Sequence, residues 1–306
     1  MHRLFQVPDL LDLTLEQIPQ TQIVSALYVS RAFFASAAPV LWGRLYRTSD
    51  LLLLVSGARL AYTKRIVQMV ELPSLLDESH FTRFNIYAKL VKTIAVDSRS
   101  KSPFPKHRVM IPALRLDGIL NWQVLLDHLG GRPLLPNLGT ILQNSDSTVC
   151  LKWLRILLAP SVHSLTTSHD HERPLEMVFE ILGIARQRCP NLRSLTISAR
   201  GFEADDVKED PDPASLQHRL LQLVSSFVAF QRLTYLRSNG SILYPQAFLV
   251  LSELPCLERV AVEVGKMPQL VYDHTTRYGF FVPPRTRSRK CFKLFLDHGL
   301  LVSSCA

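Results

Sequence analysis

Glycine-rich phosphate motifs are missing from this chain. Its 306 residues contain no G-x-x-x-x-G-K-[ST], no G-x-G-x-x-G and no G-x-S-x-G. A nucleotide cradle and a hydrolase nucleophile elbow therefore have no anchor. Cysteine is sparse. Cys150, Cys189, Cys256, Cys291 and Cys305 are odd in number, widely spaced and form no C-x-x-C. With no secretory signal, such a set reads as reduced, mostly buried thiols of a cytosolic or nuclear protein. Long apolar runs are missing as well. The longest purely aliphatic stretch is Leu51 to Val55, far short of the roughly 20 residues of a membrane-spanning helix. Pro8 and Asp9 interrupt the first segment before a signal-peptide core can form, and Cys305, one residue from Ala306, does not fit a prenylation box.

Negative charge is in deficit: 26 Asp and Glu face 35 Lys and Arg, a net charge of +9. The excess is spread along the chain and concentrates only near residues 285–290. No nucleic-acid fold signature accompanies it, so nucleic acid is not expected, and the excess reads as suited to an acidic protein partner or to nothing specific. Metal and nucleophile chemistry find little support. His169-Asp170-His171 is the densest group of metal-capable side chains, but further ligands at helical or knuckle spacing are missing, so it reads as a loop and no metal or cofactor is expected. His163 and that pair have no nucleophile beside them. Cys189, next to Pro190 at the end of an expected helix, suits a small buried thiol.

What is present begins with the first 46 residues. Pro8 suits the first turn of a helix, where its missing N–H is harmless. Leu10, Leu11, Leu13 and Leu15 follow, and Pro19 stops the pattern. A second run places Ile23, Ala26, Leu27, Ser30, Phe33, Phe34 and Ala37 on one broad face, until Pro39 breaks it and Leu41, Trp42 and Leu45 make a short third element. Three short helices in about 40 residues are marginal unless a partner covers part of their apolar surface.

These residues resemble an F-box domain, in the style of the fungal-type F-box family. The resemblance rests on Val7-Pro8-Asp9-Leu10-Leu11, Ile18-Pro19, Ile23, Leu27, Val29-Ser30-Arg31, Phe33 and Pro39-Val40-Leu41-Trp42. It departs at Thr14, where a bulky aliphatic is usual, at Gln22, where an acidic residue is common, and at Phe33, where tryptophan is frequent. A generic three-helix cap on a repeat array is the plainer reading of the same segment.

From about residue 88 a different texture sets in. Triplets of the form apolar-x-x-apolar-x-apolar recur: Val91/Ile94/Val96, Ile111/Leu114/Leu116, Leu192/Leu195/Ile197 and Leu257/Val260/Val262, with weaker members Leu138/Ile141, Val162/Leu165 and Leu233/Leu236. Their first positions are 20, 27, 24, 30, 41 and 24 residues apart, mostly in or beside the roughly 20–29-residue period of leucine-rich repeats. The longest interval holds the polar insertion Glu203 to Pro213, expected as a solvated loop. Helices are expected over 174–188, 216–230 and 245–254. The whole resembles the irregular leucine-rich repeats that follow an F-box in substrate receptors, although a closed α/β domain also alternates strands with helices.

The expected fold class is mixed α/β: a small N-terminal three-helix F-box followed by an irregular leucine-rich-repeat-like α/β solenoid. Its expected boundaries are an F-box over 1–47, a helical linker over 48–87, repeats over 88–265 and a basic tail over 266–306. The tail carries Arg285, Arg287, Arg289 and Lys290 and then a short helix-like piece. The resemblance implies a substrate-recognition adaptor of an SCF-type cullin–RING ubiquitin ligase, cytoplasmic or nuclear. Its F-box would dock on a Skp-type adaptor and through it a cullin, and its repeats would hold an unknown target protein. Five scattered cysteines do not make a RING, so the chain itself would be non-catalytic. The residues implied for adaptor docking are Pro8, Leu10, Leu11, Ile18, Pro19, Ile23 and Val29. For the target, Arg115, Arg193, Arg237 and Arg259, with Thr196 and Ala261, fall between the buried positions of the triplets. Several are basic, which favours an acidic or phosphorylated target. A repeat scaffold not linked to a ligase, and an enzyme on an irregular α/β domain, are the other readings.

Overall fold

A computed structural model describes residues 8–46, 48–62, 68–96, 118–143, 148–167, 173–200, 213–239, 242, 245–263, 291–296 and 301–305. The chain divides into two compact units, 1–141 and 142–306, and the class is mixed α/β with mostly parallel strands.

The first unit opens with α1 (Pro8–Glu16), α2 (Gln20–Ala26) and α3 (Arg31–Trp42). Leu11 and Leu15, one turn apart, bury one stripe of α1. They join Ile23 and Ala37 in a small core against which Ile18, Leu27, Phe33, Val40 and Leu41 pack. The helices divide elsewhere than the sequence suggests. Pro39 does not break the run: it lies in the last turn of α3, where losing one intrahelical bond is cheapest. The break comes at Ser30, whose backbone is extended and whose hydroxyl accepts a hydrogen bond from the Phe33 N–H at 3.3 Å.

Next come β1 (Arg44–Leu45), α4 (Thr48–Leu52), β2 (Arg59–Tyr62) and β3 (Gln68–Glu71). A 3₁₀ turn (Glu78–Phe81), α5 (Thr82–Ala88), β4 (Thr93–Val96), β5 (Gly118–Ile119), α6 (Trp122–Leu129) and β6 (Thr140–Gln143) follow. The helical expectation over 48–87 is corrected here. After α4, Gly57 turns the chain at a left-handed φ of 79°. β2 then pairs antiparallel with β3, closed by an Arg59–Glu71 ion pair at 2.8 Å, and β3 pairs parallel with β5.

The second unit holds α7 (Thr148–Leu157), β7 (Ser164–Thr167), β8 (Arg173–Pro174), α8 (Leu175–Arg188), β9 (Ser194–Thr196) and β10 (Ala199–Arg200). It continues with α9 (Pro213–Val228), β11 (Tyr235–Asn239), α10 (Pro245–Ser252), β12 (Arg259–Glu263), β13 (Cys291–Leu296) and β14 (Leu301–Cys305). The helices expected over 174–188, 216–230 and 245–254 are α8, α9 and α10. The tail departs from expectation, since Cys291–Leu296 and Leu301–Cys305 form a strand pair instead of a helix-like piece. The triplet at 111–116, the insertion over 203–212, His169 to His171 and the basic run over 285–290 lie outside the described residues.

Strands β7, β9, β11, β12 and β13 run parallel and stand side by side in chain order, and β14 adds antiparallel to β13. Five strand starts, those of β4, β6, β9, β11 and β12, repeat one device: a single carbonyl accepts two successive N–H groups of the next strand. Gly43 O serves Lys92 and Thr93, Lys92 O serves Gly139 and Thr140, and His163 O serves Arg193 and Ser194. Arg193 O then serves Thr234 and Tyr235, and Thr234 O serves Glu258 and Arg259. A second ladder runs just before the strands, where Asn137 donates to Lys89 O at 2.8 Å and Asn191 to Pro160 O at 3.1 Å. The described triplet leucine, isoleucine and valine side chains are buried throughout.

Candidate functional sites

Two surfaces stand out, one in each unit. The first is on the three-helix head. Of the twelve exposed large hydrophobic residues among those described, five (Leu10, Leu13, Val24, Tyr28 and Val29) fall within residues 10–29. Leu10 and Leu13 share one face of α1, and the Thr14 hydroxyl between their turns donates to Leu10 O at 2.7 Å. That bond occupies the one side-chain donor interrupting the apolar face. Val24 and Tyr28 stand one turn apart. The chain after α2 tightens there, with the N–H groups of Leu27, Tyr28 and Val29 donating to the carbonyls of Val24, Ser25 and Ala26. Asp9, Asp12 and Glu16 add exposed carboxylates to α1.

This geometry sorts the residues implied by the F-box resemblance. Leu10, Pro19 and Val29 are exposed and Ile18 is half-buried. Leu11, at 2% exposure, and Ile23, at 1%, are core, so their implied contact role is corrected. Each sits on the helix stripe that meets α3, and a side chain enclosed there has no surface to offer. The Pro8 side chain lies outside what is described. Leu13, Val24 and Tyr28, the last 84% exposed, were missed. The only signal for them was their phase relative to Leu11, Leu15 and Ile23.

The second surface is the face of the parallel strands between the buried rows. Strand register sets Ser164, Ser194, Tyr235 and Arg259 in one row, and Thr166, Thr196, Arg237 and Ala261 in the next. The intervening row, Leu165, Leu195, Leu236 and Val260, is buried. Arg237 and Arg259 are thus diagonal neighbours on β11 and β12, and the Arg259 guanidinium lies over the Tyr235 ring at 5.9 Å. Arg193 stands apart, exposed at the start of β9. Thr196 is buried, which corrects its reading as an exposed position; its neighbours Thr166 and Arg237 in the row crowd it. Arg115 lies outside the described residues.

Three described repeats place a polar residue at the third buried position: Gln143, Thr167 and Ser238. These polar substitutions made the triplets at 138, 162 and 233 look weak. Thr167 answers the burial by donating its hydroxyl to Thr196 O at 3.1 Å, and Asn239 donates to Ala199 O at 2.7 Å.

Other chemistry is modest. Burial pushes the Cys189 thiol up to about 12, far from thiolate reactivity. A cavity of about 110 Å³ beside Phe81, His128 and Arg132 is smaller than the roughly 300 Å³ of ordinary ligand pockets. Among the described residues no group of three His, Cys, Asp or Glu is placed to hold a metal ion, and no helix is long and apolar enough to cross a membrane. Compared with known proteins, the chain matches no family model and no curated sequence.

Proposed function

We propose that this chain is a non-catalytic substrate-recognition adaptor of an SCF-type ubiquitin ligase, its three-helix head docking on a Skp-type adaptor and its strand-and-helix array holding a target protein. The observation that carries the reading is the head itself. It has its own four-residue buried core, yet it leaves Leu10, Leu13, Val24, Tyr28 and Val29 exposed. Apolar residues gathered on so small an element mark an interaction surface. The second support is strand order. Doubly wound sheets reverse their order at a switch point, whereas parallel neighbours in chain order, with β9, β11 and β12 started by the same shared-carbonyl device, suit stacked repeats. On this reading an irregular leucine-rich-repeat solenoid follows an F-box, and catalysis comes from proximity, with the target's lysines held near a charged conjugating enzyme.

The test is co-purification with a Skp-type adaptor and cullin, using the full chain beside Leu13→Asp and Val29→Asp. Both changes lie on exposed positions and leave the head core intact. A one-to-one complex with the parent chain that either aspartate weakens by roughly tenfold or more, at unchanged thermal stability, is the expected result. Absence of a complex at micromolar concentration, with the chain folded, sinks the ligase reading and leaves a repeat scaffold.

A further inference from the structure

We propose that Cys291 and Cys305 form a reversible disulfide that fastens β14 to β13 when the surrounding thiol pool becomes oxidised. The proposal goes beyond the adaptor reading and does not rest on it. Its basis is strand register. β13 and β14 run antiparallel, and Cys291 stands directly opposite Cys305, followed by Phe292 opposite Ser304 and Lys293 opposite Ser303. Residues directly opposite in an antiparallel pair lie on one face of the sheet. Such residues have Cα atoms about 4.5 or 5.5 Å apart, according to the hydrogen-bonding phase of the pair. Both separations fall within the roughly 4.4–6.8 Å that a disulfide spans. The placement lets the bond close without moving the backbone.

Two other thiols are placed differently. Cys189 is fully buried, and burial pushes its thiol up to about 12, which withholds the thiolate. Cys256 is exposed and free, and it precedes the start of β12. Among the described residues no strand register sets a cysteine opposite it. The exchange balances with a low-molecular-weight disulfide such as oxidised glutathione. The thiolate of one cysteine attacks that disulfide, its S–S bond breaks, and one glutathione thiolate leaves. The second protein thiolate attacks the protein sulfur of the mixed disulfide and expels the other glutathione. Two protein thiols are oxidised, one glutathione disulfide is reduced to two thiols, and the cysteine protons pass to the departing thiolates. β14 stands last in the sheet order, and an edge strand has one unpaired side. Local opening there is what a covalent link suppresses. Disulfides in reducing compartments are usually transient or redox-sensing ones, which suits a clasp that opens and closes.

The experiment equilibrates the full chain with rising glutathione disulfide over a fixed reduced-glutathione background, blocks the remaining thiols by alkylation, and maps tryptic peptides by mass. Trypsin cuts after Lys293, so Cys291 and Cys305 part into peptides 291–293 and 294–306 unless a disulfide joins them. The joined peptide should appear at a glutathione disulfide concentration at least roughly tenfold below that which caps Cys256. Dithiothreitol should reverse it. In denaturing guanidinium the advantage should shrink by roughly tenfold or more, because the register that sets the thiols together is lost. Oxidation should also slow hydrogen exchange over Cys291–Leu296 and Leu301–Cys305 by roughly tenfold or more. Cys291→Ser and Cys305→Ser should each abolish the link and the slowing, while Cys256→Ser should change neither. Four results overturn the proposal: a link to Cys150 or Cys256 instead, glutathione held on Cys291 or Cys305 in place of the link, an advantage that guanidinium leaves unchanged, or a link without slower exchange. No adaptor or target enters this assay, so its outcome stands apart from that of the co-purification.

Discussion

Leu10 and Leu11 are consecutive in sequence and about 100° apart around α1, and that rotation separates an exposed side chain from a buried one. The same contrast recurs between Leu13, 59% exposed, and Leu15. It gives a direct prediction. Leu11→Ala should cost about 2–5 kcal/mol, since the head core has few side chains to collapse into the gap, whereas Leu13→Ala should stay within about 0.5 kcal/mol. Chemical denaturation of both variants measures the difference, and similar midpoints for the two would contradict the assignment of faces. For the candidate sites this is where reading from sequence runs out. The motif resemblance points at positions, among them Leu11 and Ile23, but only the packing of α1 and α2 against α3 decides which of them meet solvent. Arg237 and Arg259, by contrast, were legible, because alternation between Leu236, Val260 and their neighbours places them on the outward face whatever the details of packing.

Among the elements, the 3₁₀ turn before α5 is held by a single carboxylate. Asp77 accepts from the Ser79 and His80 N–H groups at 2.8 and 3.2 Å, from the Ser79 hydroxyl at 2.6 Å, and lies 2.8 Å from His80 Nδ1. The Ser79 hydroxyl first, then the His80 ring, hold its carboxyl well below the usual carboxylate range. A depressed folded-state pKa means the ionised cap contributes fully above the unfolded value of about 3.9 and is lost as pH falls below it. The Tm advantage of the parent chain over Asp77→Asn should therefore shrink between about pH 5 and pH 3. A pH-independent gap would show that the charge does not matter to the turn. The elements also differ in how readily sequence betrays them. α8 and α10 carry long apolar stripes bounded by proline, and both are found where periodicity places them. β2 and β3 are four residues each and begin just after a helix-like leucine run that Gly57 cuts short. In such a window tertiary pairing outweighs local pattern.

Across the whole molecule, the repeat texture was visible because one buried triplet recurs, and it faded where Gln143, Thr167 and Ser238 take the third place. Thr167 is accommodated there by the neighbouring repeat, whose Thr196 O accepts from its hydroxyl, and that partner is distant in sequence. The division into units at 141 was not legible for a related reason: β6 spans the boundary and reads as one more repeat strand. A head with its own buried core predicts a footprint confined to it. Hydrogen exchange of the full chain with a Skp-type adaptor in excess should slow over α1, α2 and the turn to Ser30, since binding stabilises what it covers by mass action. Exchange in β9, β11 and β12 should stay unchanged. Protection of the strands by the adaptor would mean that the functional division does not follow the division of the chain. A footprint confined to the head would support a head that recruits and a second unit left free to hold the target.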